Sequence, residues 1–522
     1  MGRVVANKDF LYALLKADPY DQYHFYFSNP EQLSAVSKAL RADFPDLGLH
    51  FGLWADLPAT LQTTRFELFH LSDWVVGFGP LAALRNYYSR HIFPITGIIH
   101  SVSYARYHME FLKHLWPGCT PRDAIAVTSR AGQAVMEEAF AQLRANYHLP
   151  DHFSRPELIR LPLGISQLPD MDEIARLRAR KRESLGLRPD DVLLLYLGRL
   201  SYATKKDMLP LLRALSRAGR QGLDLASVRL VLAGWLEMDD DIVRFLADFA
   251  RALGINLTII PRPSDTERSE LYAAADIFVS LVDNLQETFG ITILEAGAYA
   301  LPVIASDFDG YRDLVVHGET GWLIPSLGPR KTAVTDLLAH FWGDYQLHLF
   351  LAQETAVDVA KTADCLVKLV KDPGLRRSMG QSGRARVAAE FLWEKIIPRY
   401  MDMWESLAKR PLPDIPPAAA HPQYLSYARL FARHFSRQLD DDLQVVWSKS
   451  GEALYRGREK PIFYADMEQM IPLNRLERLM FLARNPVSTG ALAKAFAGEL
   501  TQEQIDYLLL WALKHDFLEL CS

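Results

Sequence analysis

Glu287 and Glu295 stand eight residues apart in the run Gln286-Glu287-Thr288-Phe289-Gly290-Ile291-Thr292-Ile293-Leu294-Glu295-Ala296-Gly297. The apolar run at 275–281 has the pattern of a strand, and residues 291–300 have that of a helix. The first carboxylate therefore falls in a strand-to-helix loop and the second inside the helix. Backbone N–H groups around Thr288, Phe289, Gly290 and Ile291 then belong to a helix N-terminus. Unpaired donors and the helix dipole favour an anion such as phosphate there. An ionised carboxylate only accepts hydrogen bonds and can take two hydroxyls at once. One short segment thus combines acceptors for sugar hydroxyls with donors for a diphosphate, the pairing a nucleotide sugar requires.

These two elements belong to a longer alternation. Up to about residue 325, short apolar runs alternate with amphipathic stretches. Strands are expected at 22–28, 48–53, 92–100, 124–128, 192–198, 228–234, 257–260, 277–281 and 302–306. Continuous Val, Ile and Leu content separated by helical patterns points to parallel α/β sheets covered on both faces. The runs fall into two sets, divided near 161–165 and a highly charged helix at 171–183. Two doubly wound, Rossmann-like domains facing a cleft follow, with ligand at the carboxyl ends of the strands. Helical pattern continues to about residue 409, including 376–389 and 391–404, and a proline-rich linker occupies 410–421. Residues 422–522 are expected to be a helical, winged-helix-like module. It has helices at 476–483, at 490–496 and from Thr501, where Gln504 completes a capping box, and a short strand at 516–520.

Composition narrows the partners. A chain of 522 residues exceeds one ordinary core, and 49% hydrophobic with 23% charged residues is globular. The net charge of −5 gives no general pull toward nucleic acid or anionic membrane. Residues 421–522 carry 12 Lys and Arg against 13 Asp and Glu, which argues against duplex binding by the last module. Protein or peptide docking is expected of residues 422–522, with a structural cap as the alternative. Cys119, Cys365 and Cys521 are odd in number and far apart, so reduced thiols and a cytoplasmic site are expected. The aromatic run Tyr104, Tyr107, Phe111, Leu115 and Trp116 has helical spacing. Packing is its ordinary meaning, and an acceptor or peripheral membrane contact the alternative.

Residues 273–325 resemble the donor-binding half of the retaining family 4 glycosyltransferases, which have the GT-B fold. Besides the two glutamates they contain Ala300-Leu301-Pro302-Val303-Ile304-Ala305-Ser306, Asp309-Gly310-Tyr311-Arg312-Asp313 and Gly318-Glu319-Thr320-Gly321-Trp322-Leu323-Ile324. Gly198-Arg199-Leu200-Ser201, followed by Lys205-Lys206-Asp207, resembles that family's cationic clamp. The likeness covers roughly residues 1–409. It is close after residue 192 and looser before it, where His100, Val127-Thr128-Ser129 and 161–165 carry it.

The resemblance implies an acceptor-side domain at 1–170, completed by a helix at about 385–409, and a donor-binding domain at 171–384. It implies that Glu295 accepts from the ribose, that Glu287 lies by the transferred sugar, and that His100 contacts that sugar from across the cleft. Arg199 and a lysine would stabilise the departing diphosphate. Lys205 is one position beyond the commonest spacing, so Lys205 and Lys206 are both candidates. Such a clamp replaces a metal, so neither metal nor cofactor is expected. The expected reaction moves a sugar from a nucleoside-diphosphate donor to a hydroxyl of a glycan, lipid-linked or protein acceptor. The alternatives are another GT-B activity such as a sugar-nucleotide epimerase, or a non-catalytic sugar-nucleotide-sensing protein. One departure stands out: the family opens with an apolar strand, whereas this sequence starts at a helix with its body at 5–16. The expectation is a truncated start.

Overall fold

The computed structural model describes residues 2–237, 240–414, 416–464, 467 and 471–521. The chain divides into two compact units, Met1–Gln423 and Tyr424–Ser522.

In the first unit, β1 (Tyr23–Phe27) and β2 (Leu49–Leu53) pair in parallel. A second parallel sheet runs in the order β3 (Phe69–Leu71), β4 (Ile95–Ile99), β5 (Ala124–Val127) and β6 (Glu157–Arg160). The sequence pattern led to one doubly wound sheet here. Instead, β1 and β3 each end a separate sheet, and no strand among the described residues joins them. Every residue of β4 and β5 is buried, because helices cover both faces, so their sequences are apolar throughout rather than alternating. Arg85 and Asp123, both fully buried, tie the two strands together. The guanidinium grips the carboxylate at 2.6 and 3.0 Å, and Asp123 also accepts the N–H groups of Ile95 and Thr120. Such a pair survives burial because its remaining hydrogen-bonding sites are filled as well.

The second half is one six-stranded parallel sheet of β7 (Val192–Leu197), β8 (Val228–Gly234), β9 (Asn256–Pro261), β10 (Ile277–Ser280), β11 (Val303–Ser306) and β12 (Gly321–Ile324). Its spatial order is β12-β11-β10-β7-β8-β9. Chain order reverses between β10 and β7, so the loops leaving those two strands diverge and open a crevice at their carboxyl ends. The two halves make the GT-B arrangement of paired Rossmann-like domains. Helix Trp393–Ala408 returns to the first half and packs on helix Gly2–Ala17, with Phe10 against Trp393 and Tyr400. Trp404 Nε1 donates to Thr96 Oγ1 at 2.9 Å, anchoring that return beside β4.

Three strands escape the sequence pattern: β3 has three residues, β6 carries charge at both ends, and β12 begins with glycine. The span after β12 is not simply helical either. Ser326–Leu327 pairs with Ala356–Val357, and the short helices Ala333–Leu338 and Asp344–Gln353 lie between. Gly328-Pro329 stops a helix from running through.

The second unit is a three-stranded antiparallel sheet with Gln444–Trp447 at its centre, flanked by Val487–Ser488 and Leu518–Leu520. Helices Leu473–Leu482, Thr489–Phe496 and Gln502–Lys514 enclose its core. The central strand and helix Lys449–Tyr455 add to the elements read from sequence. No helix among the described residues is long and apolar enough to cross a membrane.

Candidate functional site

The crevice rim starts where β7 ends. Gly234, at the end of β8, has φ +145, and a Cβ there would lie 1.6 Å from the Gly198 carbonyl oxygen. Only glycine lets the two strand ends approach so closely. Leu200 then donates to the Trp235 carbonyl at 2.7 Å, so the backbone that carries Arg199 continues the β7–β8 pairing. The Arg199 guanidinium faces Glu237 at 3.5 Å, Thr204 at 3.3 Å and Gln286 at 3.4 Å.

The next turn is built on Ser201, whose carbonyl accepts the N–H groups of both Lys205 and Lys206. The two lysines part from there. Lys205 reaches the Glu287 carboxylate at 3.2 Å. Lys206 is buried beneath the rim; its ammonium lies 2.5 Å from Ser280 Oγ and 4.2 Å from the centre of the Tyr196 ring. Burial pushes that ammonium down to about 7, against the pull of the Glu287 and Asp283 charges.

Glu287 sits between β10 and helix Ile291–Ala298. Burial works to raise its carboxyl, but Lys205, Lys206 and a hydrogen bond from the Phe289 N–H outweigh it, so the group is held below the usual range. It is therefore a standing anion, an acceptor only. Gly290 caps the helix with φ +100, and a Cβ there would lie 2.3 Å from the fully buried Tyr311 ring. The first N–H groups of this helix lack intrahelical acceptors and face the positive end of the dipole. The Thr288 hydroxyl donates to the His100 carbonyl at 2.8 Å, which sews the loop to the end of β4 in the first half.

Glu295 belongs to a different ion-pair group. Arg268 donates to one of its oxygens at 2.8 Å and the Tyr272 hydroxyl to the other at 2.7 Å. Asp9, on the first helix, is close enough that burial and then the Glu295 charge raise its carboxyl. A carboxylate has about four lone-pair sites, so Glu295 retains capacity for ligand hydroxyls after those two bonds.

The expected residues are thus distributed unevenly. Arg199, Lys205, Lys206, Glu287, Thr288, Phe289, Gly290 and Ile291 line one stretch around the ends of β7 and β10. Glu295 lies farther along the helix that Gly290 caps. His100 meets the same stretch through its carbonyl, while its imidazole Nε2 lies 2.7 Å from Asn7 Oδ1. Of the aromatic run, Tyr107, Phe111, Leu115 and Trp116 are buried in the first half's core, so these four are packing residues. Tyr104 alone reaches the site, accepting from Gln286 Nε2 at 2.6 Å.

Residues 178–339 match the family described as Glycosyl transferases group 1. Among curated proteins it is similar to D-inositol 3-phosphate glycosyltransferase of Rhodococcus erythropolis, 32% identical over 28% of this chain and 33% of that protein. An uncharacterized glycosyltransferase of Methanocaldococcus jannaschii is 29% identical over 31% of this chain and 39% of its own length. The chain spans 33% to 49% of the length of the curated relatives it matches. Among solved structures, Anabaena HepE in complex with UDP superposes with a TM-score of 0.52 at 16% identity, covering 77% of this chain and 96% of that one. A Rickettsia africae glycosyltransferase gives 0.51 at 13% identity, covering 78% and 95%. Both likenesses extend the shared fold well beyond the matched domain.

Two further acids lie at the site: Asp309, read from sequence only as part of the motif at 309–313, and Asp283, not read at all. Asp309 follows β11 in a left-handed conformation, and burial followed by the Glu287 charge pushes its carboxyl up to about 8. Asp283 follows β10, accepts the Asp207 N–H at 3.2 Å and is pushed up to about 7, chiefly by burial. Each has one buried carboxyl oxygen without a hydrogen-bond partner. Acidic residues in loops ordinarily read as solvated, and only the packing of these loops against β7 and β10 reveals otherwise.

Proposed function

We propose that the protein is a retaining glycosyltransferase that moves a sugar from a nucleoside diphosphate to an acceptor hydroxyl by front-face transfer, without a metal. The observation that carries this reading is the meeting of Arg199, Lys205, the Gly290 helix N-terminus and the anionic Glu287 at the reversal point of a six-stranded parallel sheet. Cleaving a sugar–phosphate bond leaves its electron pair on the diphosphate. A fixed guanidinium, an ammonium and aligned N–H groups stabilise that charge as it develops. We assign Lys205 rather than Lys206 to the phosphate, because Lys205 projects to the rim and Lys206 is spent on Ser280. Lys206 keeps Glu287 ionised from below. Glu287 accepts hydroxyls of the transferred sugar, and Glu295 accepts those of the ribose.

In the reaction, the bond from the anomeric carbon to the phosphate oxygen breaks and the acceptor oxygen bonds to the same face. The acceptor's proton passes to the departing phosphate oxygen. Holding both reactants in one crevice makes this step effectively unimolecular. Incubation of the full chain with nucleoside-diphosphate sugars and simple hydroxyl acceptors, followed by NMR of the product anomer, tests the reading. Retention of the donor's configuration is expected. Inversion, a covalent sugar adduct on Glu287, or release of an epimerised sugar overturns it.

A further inference from the structure

Residues 424–437 open the second unit. This stretch is Tyr424-Leu425-Ser426-Tyr427-Ala428-Arg429-Leu430-Phe431-Ala432-Arg433-His434-Phe435-Ser436-Arg437. Leu425, Tyr427, Leu430, Phe431 and Phe435 are all exposed, Tyr427 at 78% and Phe435 at 61%. Single exposed apolar residues are ordinary on a protein surface, but five within eleven positions are not. Ser426 accepts the Arg429 N–H and starts a turn of helix, Tyr427–Leu430, followed by a tighter turn at Ala432–His434. The Tyr427 and Phe431 rings stack at 6.0 Å and the Phe431 and His434 rings at 5.1 Å, so they share one side. In one continuous helix Phe435 would join that side, and Arg429, Arg433 and Arg437, every fourth residue, would take the opposite one. Residues 415–439 contain no Asp or Glu, although the whole chain is net negative. The run of acids begins only at Asp440, which Arg437 meets at 3.3 Å.

We propose that residues 424–437 are an interfacial segment that docks on an anionic phospholipid surface. The rings and leucines enter the boundary between headgroups and acyl chains, and the arginines engage lipid phosphates. Charge and apolarity together select this occupant. A nucleic-acid duplex or a purely acidic peptide would use the arginines but leave the rings in water. An apolar protein groove would cover the rings but leave the three cations without partners. A bilayer interface accommodates both at once. Isolated short helices are marginal in water, so the two separate turns are what such a segment shows before it binds.

Sedimentation of the full chain with vesicles tests this, using phosphatidylcholine alone and phosphatidylcholine with about one-third phosphatidylglycerol. Three arginines predict binding to the anionic vesicles stronger by on the order of 100-fold. That preference shrinks as salt shortens the Debye length. The triple variant Tyr427→Ser, Phe431→Ser, Phe435→Ser keeps the parent's thermal midpoint and stays in the supernatant. A parent chain that ignores anionic vesicles overturns the proposal and turns this face toward a protein partner. A folded variant that sediments like the parent overturns it too. Neither measurement uses a sugar donor, so both outcomes are independent of the reading of the crevice.

Discussion

On the rim that ends β7 and β10, ionised side chains are set against one another: Arg199 with Glu237, and Lys205 with Glu287. On the facing rim, which ends β4 and β5, the first half offers neutral groups to the same loop. These are the His100 carbonyl to Thr288, the Thr128 hydroxyl near the Thr288 carbonyl, and the Tyr104 hydroxyl to Gln286. The contrast suits a division of labour in which one rim answers a charged donor and the other an uncharged acceptor. Half-buried opposing charges hold their geometry because each would be costly alone. Neutral hydrogen bonds are worth less apiece and are exchanged more readily for bonds to a ligand.

If the charged rim does the chemistry, Glu287→Gln has the largest effect. It frees Lys205, removes the fixed anion and lowers turnover by about 100-fold or more, read by steady-state kinetics on the full chain. A change under about threefold would mean the rim's charges are structural. Tyr104→Phe probes the neutral rim with one lost hydroxyl. A loss of about fivefold in kcat/KM is expected, corresponding to one neutral hydrogen bond. A loss equal to that of Glu287→Gln would erase the contrast.

The subtlest test is pH. Asp309 and Asp283, raised to about 8 and about 7, hold protons in the folded protein that the unfolded chain releases near pH 4. Stability from these two acids therefore falls as pH rises from 4 through 8. Lys206, lowered to about 7, has already lost its proton when the unfolded lysine still holds its own. Its contribution accordingly rises with pH between about 7 and 10. Asp309→Asn removes one falling contribution, so its thermal midpoint gains on the parent's between pH 5 and pH 8. A constant difference across that range would place Asp309 in contact with water.

Much of the charged rim was legible because its chemistry is local. A strand, a loop with glycine and a helix fix where Glu287 and the N–H groups around Gly290 stand, and the spacing between Arg199 and Lys205 lies within one turn-rich segment. The capping box at Thr501 and Gln504 is equally local, and both of its hydrogen bonds are present. The neutral rim was legible only in part: the resemblance put His100 across the cleft, but not the group it would use. His100 and Tyr104 act there through a carbonyl and a single hydroxyl, and their contacts span 188 and 182 residues of chain. No spacing rule reaches that far. The same holds for the split between β1 and β3, a matter of which edges meet, and for Lys206, whose burial beside Tyr196 separates it from its neighbour Lys205.

The central claim is that the Arg199 side of the crevice grips a diphosphate. A thermal-shift titration of the full chain with uridine, guanosine, adenosine, cytidine and thymidine diphosphates tests it most directly, in the parent and in Arg199→Ala. At least one nucleotide should raise the parent's midpoint in a saturable way, and the variant should bind it roughly 10-fold or more weakly. A parent unmoved by every nucleotide, or a variant that binds as the parent does, would contradict the account.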